Sequence, residues 1–291
     1  MVPTRNGFDP SEPVLLTNER DGVRTLTLNR PHRKNAITRE LWLALRDEFT
    51  AVAGDPGVRA VVLTGAGRAF CSGADLSAVA ADIHPLDRLR PLTDVALLLH
   101  ELPVPTVAKV TGVAVGAGWN LALGCDLVVA TPEARFSQIF TRRGLSPDCG
   151  GSWLLPKLAG LQQAKRLALL GDFVDAEEAR SLNLVTWVVP AAEIDGFTDR
   201  LADRLAAGPP KALAQAKALL NEGTDRTLRD ALASEARAQA TNLATADAPE
   251  AYAAFLEKRE PRFTGRWAPS GQDRPSPRTA LPESPVEVAD A

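Results

Sequence analysis

Small residues directly after a predicted buried strand are the feature of this sequence that most restricts its fold. The apolar, β-branched run Thr106–Val110 is followed by small residues at Gly112, Ala114, Gly116, Ala117 and Gly118. A helix-like pattern then continues to Gly124, so the stretch predicts a strand, a tight glycine turn and the start of a helix. Small side chains let a ligand approach the backbone, where the free N–H groups of a first helical turn can bind a polarised oxygen. The alternative is that these residues only allow close packing of a helix on a sheet.

The spacing of these glycines excludes two common nucleotide-binding turns. Glycines at positions 112, 116 and 118 do not follow the G-x-G-x-x-G order of a dinucleotide fold, and no Gly-Lys-Ser/Thr of a phosphate loop follows them. The nearby Ser72 lies outside a G-x-S-x-G turn, which argues against a serine hydrolase.

A second glycine-rich loop follows another apolar run. Residues 60–64 have the composition of a buried strand, and the loop after them ends in the sequence Ser-Gly-Ala-Asp-Leu at 72–76. Ligands of α/β proteins bind at the carboxyl ends of parallel strands. The two loops therefore predict one shared site.

Four segments together resemble the crotonase, or enoyl-CoA hydratase/isomerase, family: residues 29–37, 70–76, 112–126, and 136–138 with 144–151. The resemblance extends over residues 13–266. It implies an α/β fold of crotonase-like ββα units coiled into a superhelix, with a helical C-terminal appendage. It also implies an acyl-CoA thioester substrate, no cofactor apart from the CoA of the substrate, and assembly as a homotrimer or a dimer of trimers.

The order of the predicted elements agrees with this class. An Asp21-Gly22 turn predicts a hairpin, Thr38 is placed to cap a helix, and strands then alternate with helices. After Pro190 the sequence becomes rich in Ala, Leu, Arg and Glu, which predicts helices. We therefore divide the chain into a flexible N-terminus (1–12), an acyl-CoA-binding core (13–190), a helical trimerisation region (191–267) and a disordered tail (268–291).

Composition limits the possible partners. With 291 residues, 45% of them hydrophobic, the chain can bury a large core, and its net charge of −3 provides no overall basic surface for nucleic acid. The sequence starts without an apolar signal segment and contains no run long enough to span a membrane, so we predict a cytoplasmic protein with no membrane partner. Three scattered cysteines and three histidines without metal-ligand spacing predict no metal site.

The resemblance assigns the oxyanion hole to the backbone N–H groups of Ala74 and Ala117, which would stabilise a thioester enolate. Family members usually have glycine at the second position, and alanine keeps the N–H group but restricts φ. The two positions at which family hydratases have carboxylates correspond to Asn120 and Phe140. Because neither side chain can transfer a proton, the resemblance favours an isomerase over a hydratase.

Asp148 is an acid at another position that the family uses. Relatives with an acid here and none at the hydratase positions are dienoyl-CoA isomerases, ring-opening 2-(1,2-epoxy-1,2-dihydrophenyl)acetyl-CoA isomerases and aryl-CoA dehalogenases, in which it is a proton shuttle or a nucleophile. Residues 150–157 and 167–171 are most similar to the ring-opening isomerase of phenylacetate breakdown. Judged without the resemblance, an Asp between Pro147 and a predicted helix is a helix N-cap.

The resemblance also implies the residues that contact the substrate. Those in the core are Arg33, Lys34, Ala36, Ser72, Gly73, Asp75, Leu76, Gly116 and Phe140. Two more, Phe255 and Lys258, would reach CoA across a subunit boundary. The pattern around these two residues also fits a helix with one apolar and one charged face.

Three other functions stay open at this point. The first is an enoyl-CoA hydratase of general fatty-acid breakdown. The second is an aryl-CoA dehalogenase, in which His84 lies in the loop that carries a base in such relatives, although its position beside Pro85 favours an exposed loop residue. The third is a non-catalytic crotonase-fold binding protein, including an RNA-binding one, which the acidic net charge disfavours.

Overall fold

The structure, a computed structural model, describes residues 12–77 and 83–268. The strands in these ranges are β1 (Leu15–Arg20), β2 (Val23–Leu28), β3 (Ala60–Gly65), β4 (Thr106–Val110), β5 (Val113–Val115), β6 (Leu127–Ala130), β7 (Arg135–Ser137), β8 (Val174–Asp175) and β9 (Trp187–Val188). The α-helices are α1 (Arg39–Gly54), α2 (Pro85–Glu101), α3 (Ala117–Gly124), α4 (Gly151–Leu170), α5 (Ala176–Ser181), α6 (Ile194–Ala206), α7 (Pro210–Gly223), α8 (Leu228–Leu243) and α9 (Asp247–Glu257). The predicted disordered tail lies, apart from Ala268, outside the described residues, and so do residues 1–11 of the predicted flexible N-terminus.

The larger sheet has six strands in the order β1-β2-β3-β4-β6-β9. Only β1 and β2 pair antiparallel, and the other neighbours are parallel. Asp21 and Gly22, which join β1 to β2, both have left-handed φ angles of 50° and 79°. Positive φ at both positions of a two-residue turn matches the twist of the paired strands. The predicted hairpin is confirmed.

A second, three-stranded sheet has the order β5-β7-β8. The sequence predicted that β4 leads straight into the glycine turn and its helix, and this is wrong because β5 lies between them. Gly112 makes the change of direction with a φ of 63°, at a place where an added Cβ would lie 2.0 Å from the Arg68 carbonyl oxygen. The helix α3 therefore follows a strand of the smaller sheet and not β4. The sequence did not predict β5 because a strand of three residues is too short to show an alternating pattern.

Both faces of the larger sheet are covered. One face packs with α1, α2 and α3 in the main core, where Leu26, Leu63 and Phe49 are fully buried. The other face packs with α6, through Ile194 and Ala202 among others. Burial on both sides explains why β3 is continuously apolar from Ala60 to Leu63 rather than alternating.

The C-terminal helices are attached to the core through α7. Lys217 of α7 forms a 2.9 Å ion pair with Asp126, and the Asn221 amide donates to the His100 carbonyl at the end of α2. The helix α8 packs on α7, and α9 packs on α8. Several large apolar side chains of these helices are exposed, namely Leu220, Leu228, Leu232, Leu243, Tyr252, Phe255 and Leu256. None of the described helices is long and apolar enough to cross a membrane.

Candidate active site

The loop that carries Ala74 is held on both sides by backbone hydrogen bonds. On one side the Ile37 N–H donates to the Gly73 carbonyl (2.8 Å) and the Asp75 N–H donates to the Ile37 carbonyl (2.9 Å). On the other side the Val115 N–H donates to the Cys71 carbonyl (2.9 Å). Successive N–H groups of an extended chain point in opposite directions, so the Ala74 N–H points away from Ile37. Among the described residues it has no backbone acceptor.

Gly73 brings this loop against the start of α3. Its φ is 90°, and a Cβ added to it would lie 2.9 Å from the Val115 carbonyl oxygen and 3.8 Å from the Ala117 nitrogen. Both the conformation and the contact require glycine. The Ala74 N–H is consequently next to the first residue of α3.

Gly116 starts α3 with a backbone conformation, φ 55° and ψ −127°, that side chains rarely allow. Ala117 is the first helical residue, and in the described chain its N–H, like others in the first turn of a helix, has no backbone acceptor. Ala117 is absent from the residues with positive φ, so alanine in place of the usual glycine is unstrained. The structure thus brings together the two predicted oxyanion donors, and the helix dipole adds positive potential there.

Asp148 lies in the loop before α4, and its Oδ1 is buried and without a hydrogen-bond partner among residues 12–77 and 83–268. Burial raises the pKa of the Asp148 carboxyl from 3.8 to about 6. The alternative prediction, that Asp148 caps α4, is wrong: the capping position belongs to Gly150, and no side chain there accepts a hydrogen bond. The reason is the turn between them, in which Cys149 and Gly150 both have left-handed φ angles, 49° and 79°.

The two positions at which the sequence predicted missing carboxylates lie close to these groups. Asn120 is buried, with its amide donating to the Asp148 carbonyl (2.8 Å) and accepting from Gln138 (2.8 Å). Phe140 is also buried, and its ring lies 3.6 Å from a Cβ added to Gly116. Neither position supplies an acid or a base.

An apolar cavity of about 390 Å³ continues from this region between α2, α3 and the start of α4. Its wall includes Asn120 and Cys149 beside the carboxylate loop and Leu92, Leu121 and Leu154 further away. A cavity of this size and character suits the apolar part of a small ligand.

The predicted CoA-contacting residues of the N-terminal part cluster around the Ala74 loop. Arg33 and Lys34 are exposed, and their carbonyl oxygens accept hydrogen bonds from the Ser72 hydroxyl and N–H. The Ser77 hydroxyl and N–H, then Arg30, lower the pKa of Asp75 to about 2. Arg33 and Lys34 therefore present exposed cationic side chains from a segment that is hydrogen-bonded to the Ala74 loop.

The other predicted contacts are two neighbours of these residues and two residues of the C-terminal part. Ala36 lies between Lys34 and the bridge to Ala74, and the neighbouring Leu76 is exposed. Phe255, which is 82% exposed, and Lys258 belong to α9 and its C-terminal cap. In the described chain no hydrogen bond joins α9 to the site, so a contact across a subunit boundary stays a prediction.

His84 is placed at the N-terminus of α2. Its Nδ1 accepts a hydrogen bond from the Leu86 N–H (3.3 Å), so this exposed side chain acts as a helix cap. The interaction gives no support to His84 as a base.

Comparison with known proteins identifies the family. The family model described as enoyl-CoA hydratase/isomerase matches residues 18–266. A Rhodobacter capsulatus protein named "Probable enoyl-CoA hydratase" is 42% identical over 84% of this chain and 96% of its own length. The 1,2-epoxyphenylacetyl-CoA isomerase of Escherichia coli K12 is 38% identical over 87% of this chain and 98% of its own.

The fold comparison agrees. The crystal structure of an enoyl-CoA hydratase from Mycobacterium smegmatis superimposes with a TM-score of 0.82, at 37% identity, over 87% of this chain and 99% of that one. The predicted crotonase-like α/β fold with a helical C-terminal part is confirmed. From its sequence, its fold and its paired N–H groups, this chain belongs to the enoyl-CoA hydratase/isomerase family.

Proposed function

We propose that the protein is an acyl-CoA isomerase in which Asp148 moves a proton between two carbons of the acyl group. Membership of the family makes it an enzyme that acts on acyl-CoA thioesters. The observation that carries the finer proposal is the Oδ1 of Asp148, which is buried and unpartnered among the described residues and lies in a loop whose next residue, Cys149, lines an apolar cavity. The hydratase positions meanwhile hold Asn120 and Phe140, which cannot exchange protons.

The proposed reaction begins with the thioester carbonyl oxygen between the N–H groups of Ala74 and Ala117. The Asp148 carboxylate takes a proton from a carbon α or γ to the carbonyl, and the C–H electron pair moves into the acyl chain to form an enolate. The two N–H groups stabilise the negative charge that develops on the oxygen. Asp148, now a carboxylic acid, returns the proton to another carbon, the carbonyl re-forms, and no atom is gained or lost.

The electrostatics of the site support this assignment. A pKa of about 6 for Asp148 lies closer to neutral pH than that of an ordinary carboxyl, so the group is a stronger base and still a usable acid. An N–H donor of an oxyanion hole typically contributes about 10²- to 10³-fold in rate. A single acid/base residue is what a shuttle requires, whereas hydration uses one group to activate water and another to supply the proton.

For the acyl group we propose a bulky, apolar one of the epoxyphenylacetyl type. The support is the relative named 1,2-epoxyphenylacetyl-CoA isomerase, at 38% identity, and the cavity of about 390 Å³ that begins beside Asn120. We further propose a cytoplasmic homotrimer or dimer of trimers with no cofactor apart from the CoA of its substrate.

A panel of thioesters tests the proposal. The protein is incubated in H₂O and in D₂O with enoyl-, dienoyl-, epoxyphenylacetyl- and haloaryl-CoA, and the products are identified by mass spectrometry. An isomerase gives a product of unchanged mass in H₂O, and in D₂O any deuterium gained by exchange at Asp148 enters at the carbon that receives the proton. A product heavier by one water indicates a hydratase, loss of halide indicates a dehalogenase, and binding without any product indicates a non-catalytic protein. Each of these three results would contradict the proposal.

A further inference from the structure

We propose that Asn120, oriented by Gln138, is a positioning residue that holds the Asp148 loop in its reactive place. The inference rests on the proposed role of Asp148. It gives Asn120 a role of its own, whereas the sequence showed only that this position lacks the carboxylate of the family hydratases. The contact is direct: Asn120 Nδ2 donates to the Asp148 carbonyl oxygen at 2.8 Å.

The orientation of the Asn120 amide follows from its neighbours. The Asp148 carbonyl oxygen can only accept, so the NH₂ group of Asn120 must face it. The opposite end, Oδ1, then accepts from Gln138 Nε2 at 2.8 Å. Asn120 and Gln138 are 1% and 0% exposed, so little of either amide is open to bulk solvent. A buried amide with a donor on one side and an acceptor on the other has one stable orientation.

The loop that Asn120 holds depends on support from outside itself. Cys149 has a φ of 49°, a left-handed conformation that strains a residue with a side chain, and Asp148 Oδ1 has no hydrogen-bond partner in the described part of the chain. Besides Asn120, the Gly151 N–H donates to the Asp148 carbonyl (2.9 Å). A Cβ added to Gly151 would lie 2.3 Å from Asn120 Nδ2, so the two elements are in contact without a gap. The Asn120 amide is thus the side chain that links α3 to the strained turn.

A carboxylate at position 120 would oppose this arrangement. It would place a negative oxygen against the Asp148 carbonyl oxygen, where a donor is needed. It would also add a like charge near the Asp148 carboxyl, which disfavours ionisation of the base. An amide of the same shape does neither.

The main test is Asn120→Leu, which keeps the branched shape and removes both hydrogen bonds. Since a displacement of about 1 Å at a reacting group can reduce a rate by about 10²-fold, we expect kcat to fall by about 10- to 100-fold with KM within about two-fold. In a protein that already carries Asp148→Asn, adding Asn120→Leu should change the rate by less than about two-fold, because the residue acts through Asp148. Gln138→Met, which removes only the orienting donor, should give a smaller loss in the same direction.

The pH dependence of Asn120→Asp is a second readout, which would not change if Asn120 had a purely structural role. The introduced carboxyl can donate to the Asp148 carbonyl only when protonated, so activity should recover relative to wild type as the pH is lowered. Asn29→Leu is the matched control, because Asn29 is also buried, at 5% exposure, and donates to the Pro13 carbonyl (3.0 Å) outside the site. It should lower stability and leave kcat and its pH profile unchanged.

The positioning role of Asn120 and the proton shuttle at Asp148 can be refuted separately. If Asp148→Asn is inactive while folded Asn120→Leu keeps the wild-type kcat and pH profile, the positioning role is wrong and the shuttle stands. If the losses from the two substitutions multiply in the double variant, Asn120 acts independently of Asp148 and the inference is also wrong. If Asp148→Asn is fully active, the proposed function itself fails.

Discussion

Replacing Asp148 with asparagine should change how the stability of the protein depends on pH. Burial raises the pKa of this carboxyl from 3.8 to about 6 in the folded protein. The folded state therefore holds the proton over a pH range in which the unfolded chain has released it. The free energy of unfolding is unaffected below about pH 4 and falls as the pH rises through about 6.

The size of the effect follows from this shift. A shift of about two pKa units contributes about 3 kcal/mol to the free energy of unfolding at low pH, where the carboxyl is protonated in both states. About half of this contribution is lost between about pH 5 and about pH 8. Asp148 is partly exposed, and solvent screening reduces the expected loss to about 1 kcal/mol. Asp148→Asn has no titrating group and should lack this loss. Comparing the two pH values within each protein cancels the pH-independent cost of burying an amide.

The measurement is urea unfolding, or the apparent Tm, of both proteins at the two pH values and at one protein concentration. A difference of about 1 kcal/mol corresponds to roughly 2–4 °C for chains of this size. The same titration should appear in kinetics, with kcat/KM of the wild type rising with pH and levelling off above about pH 6. If both proteins lose the same stability between the two pH values, the carboxyl is ordinarily solvated and the electrostatic basis for Asp148 as a base is refuted.

Three further outcomes follow from the site. Ala117→Pro should keep the fold, because the first position of a helix tolerates proline. It should reduce turnover by about 10²- to 10³-fold because it removes one oxyanion donor. Unchanged turnover in a folded variant would exclude that donor. Gly118→Ala, whose Cβ would lie 2.5 Å from the Cys71 carbonyl oxygen, should push α3 off the Ala74 loop and reduce activity as strongly, which steady-state kinetics would show. Hydration of crotonyl-CoA should be slower than in an efficient hydratase by about 10²-fold or more because of Asn120 and Phe140, and rapid release of hydroxybutyryl-CoA would contradict this.

Elements with local signals were predictable from the sequence. The Asp21-Gly22 turn required left-handed φ angles that these residues adopt readily, and the structure has them. Thr38 caps α1 by accepting from the Leu41 N–H, as its position before the apolar helical pattern predicted. Each of these signals involves residues within a few positions of one another, where sequence and conformation are directly linked.

The features that were missed depend on contacts between distant segments. Asp148 has the composition of a helix cap, but the left-handed Cys149 places the start of α4 two residues later. The hydrogen bond between Gln138 and Asn120 was not predictable, because the two residues are 18 positions apart in the chain and the pairing of β5 with β7 brings them together. The two oxyanion donors were assigned through the family resemblance; the residues alone could also have indicated close packing.

The first turn of α3 connects both halves of the proposed chemistry. Ala117 is its first residue, with an N–H that has no backbone acceptor in the described chain, and Asn120 is three residues later, a spacing that puts the two side chains on one side of a helix. The Asn120 N–H donates to the Gly116 carbonyl (3.0 Å), the first hydrogen bond of that helix. Gly118 packs against Cys71, which leads into the Ala74 loop. In the proposed mechanism, the residues from Ala117 to Asn120 therefore contact both the enolate oxygen and the loop that carries Asp148. One helical turn sets the distance between the base and the oxyanion donors.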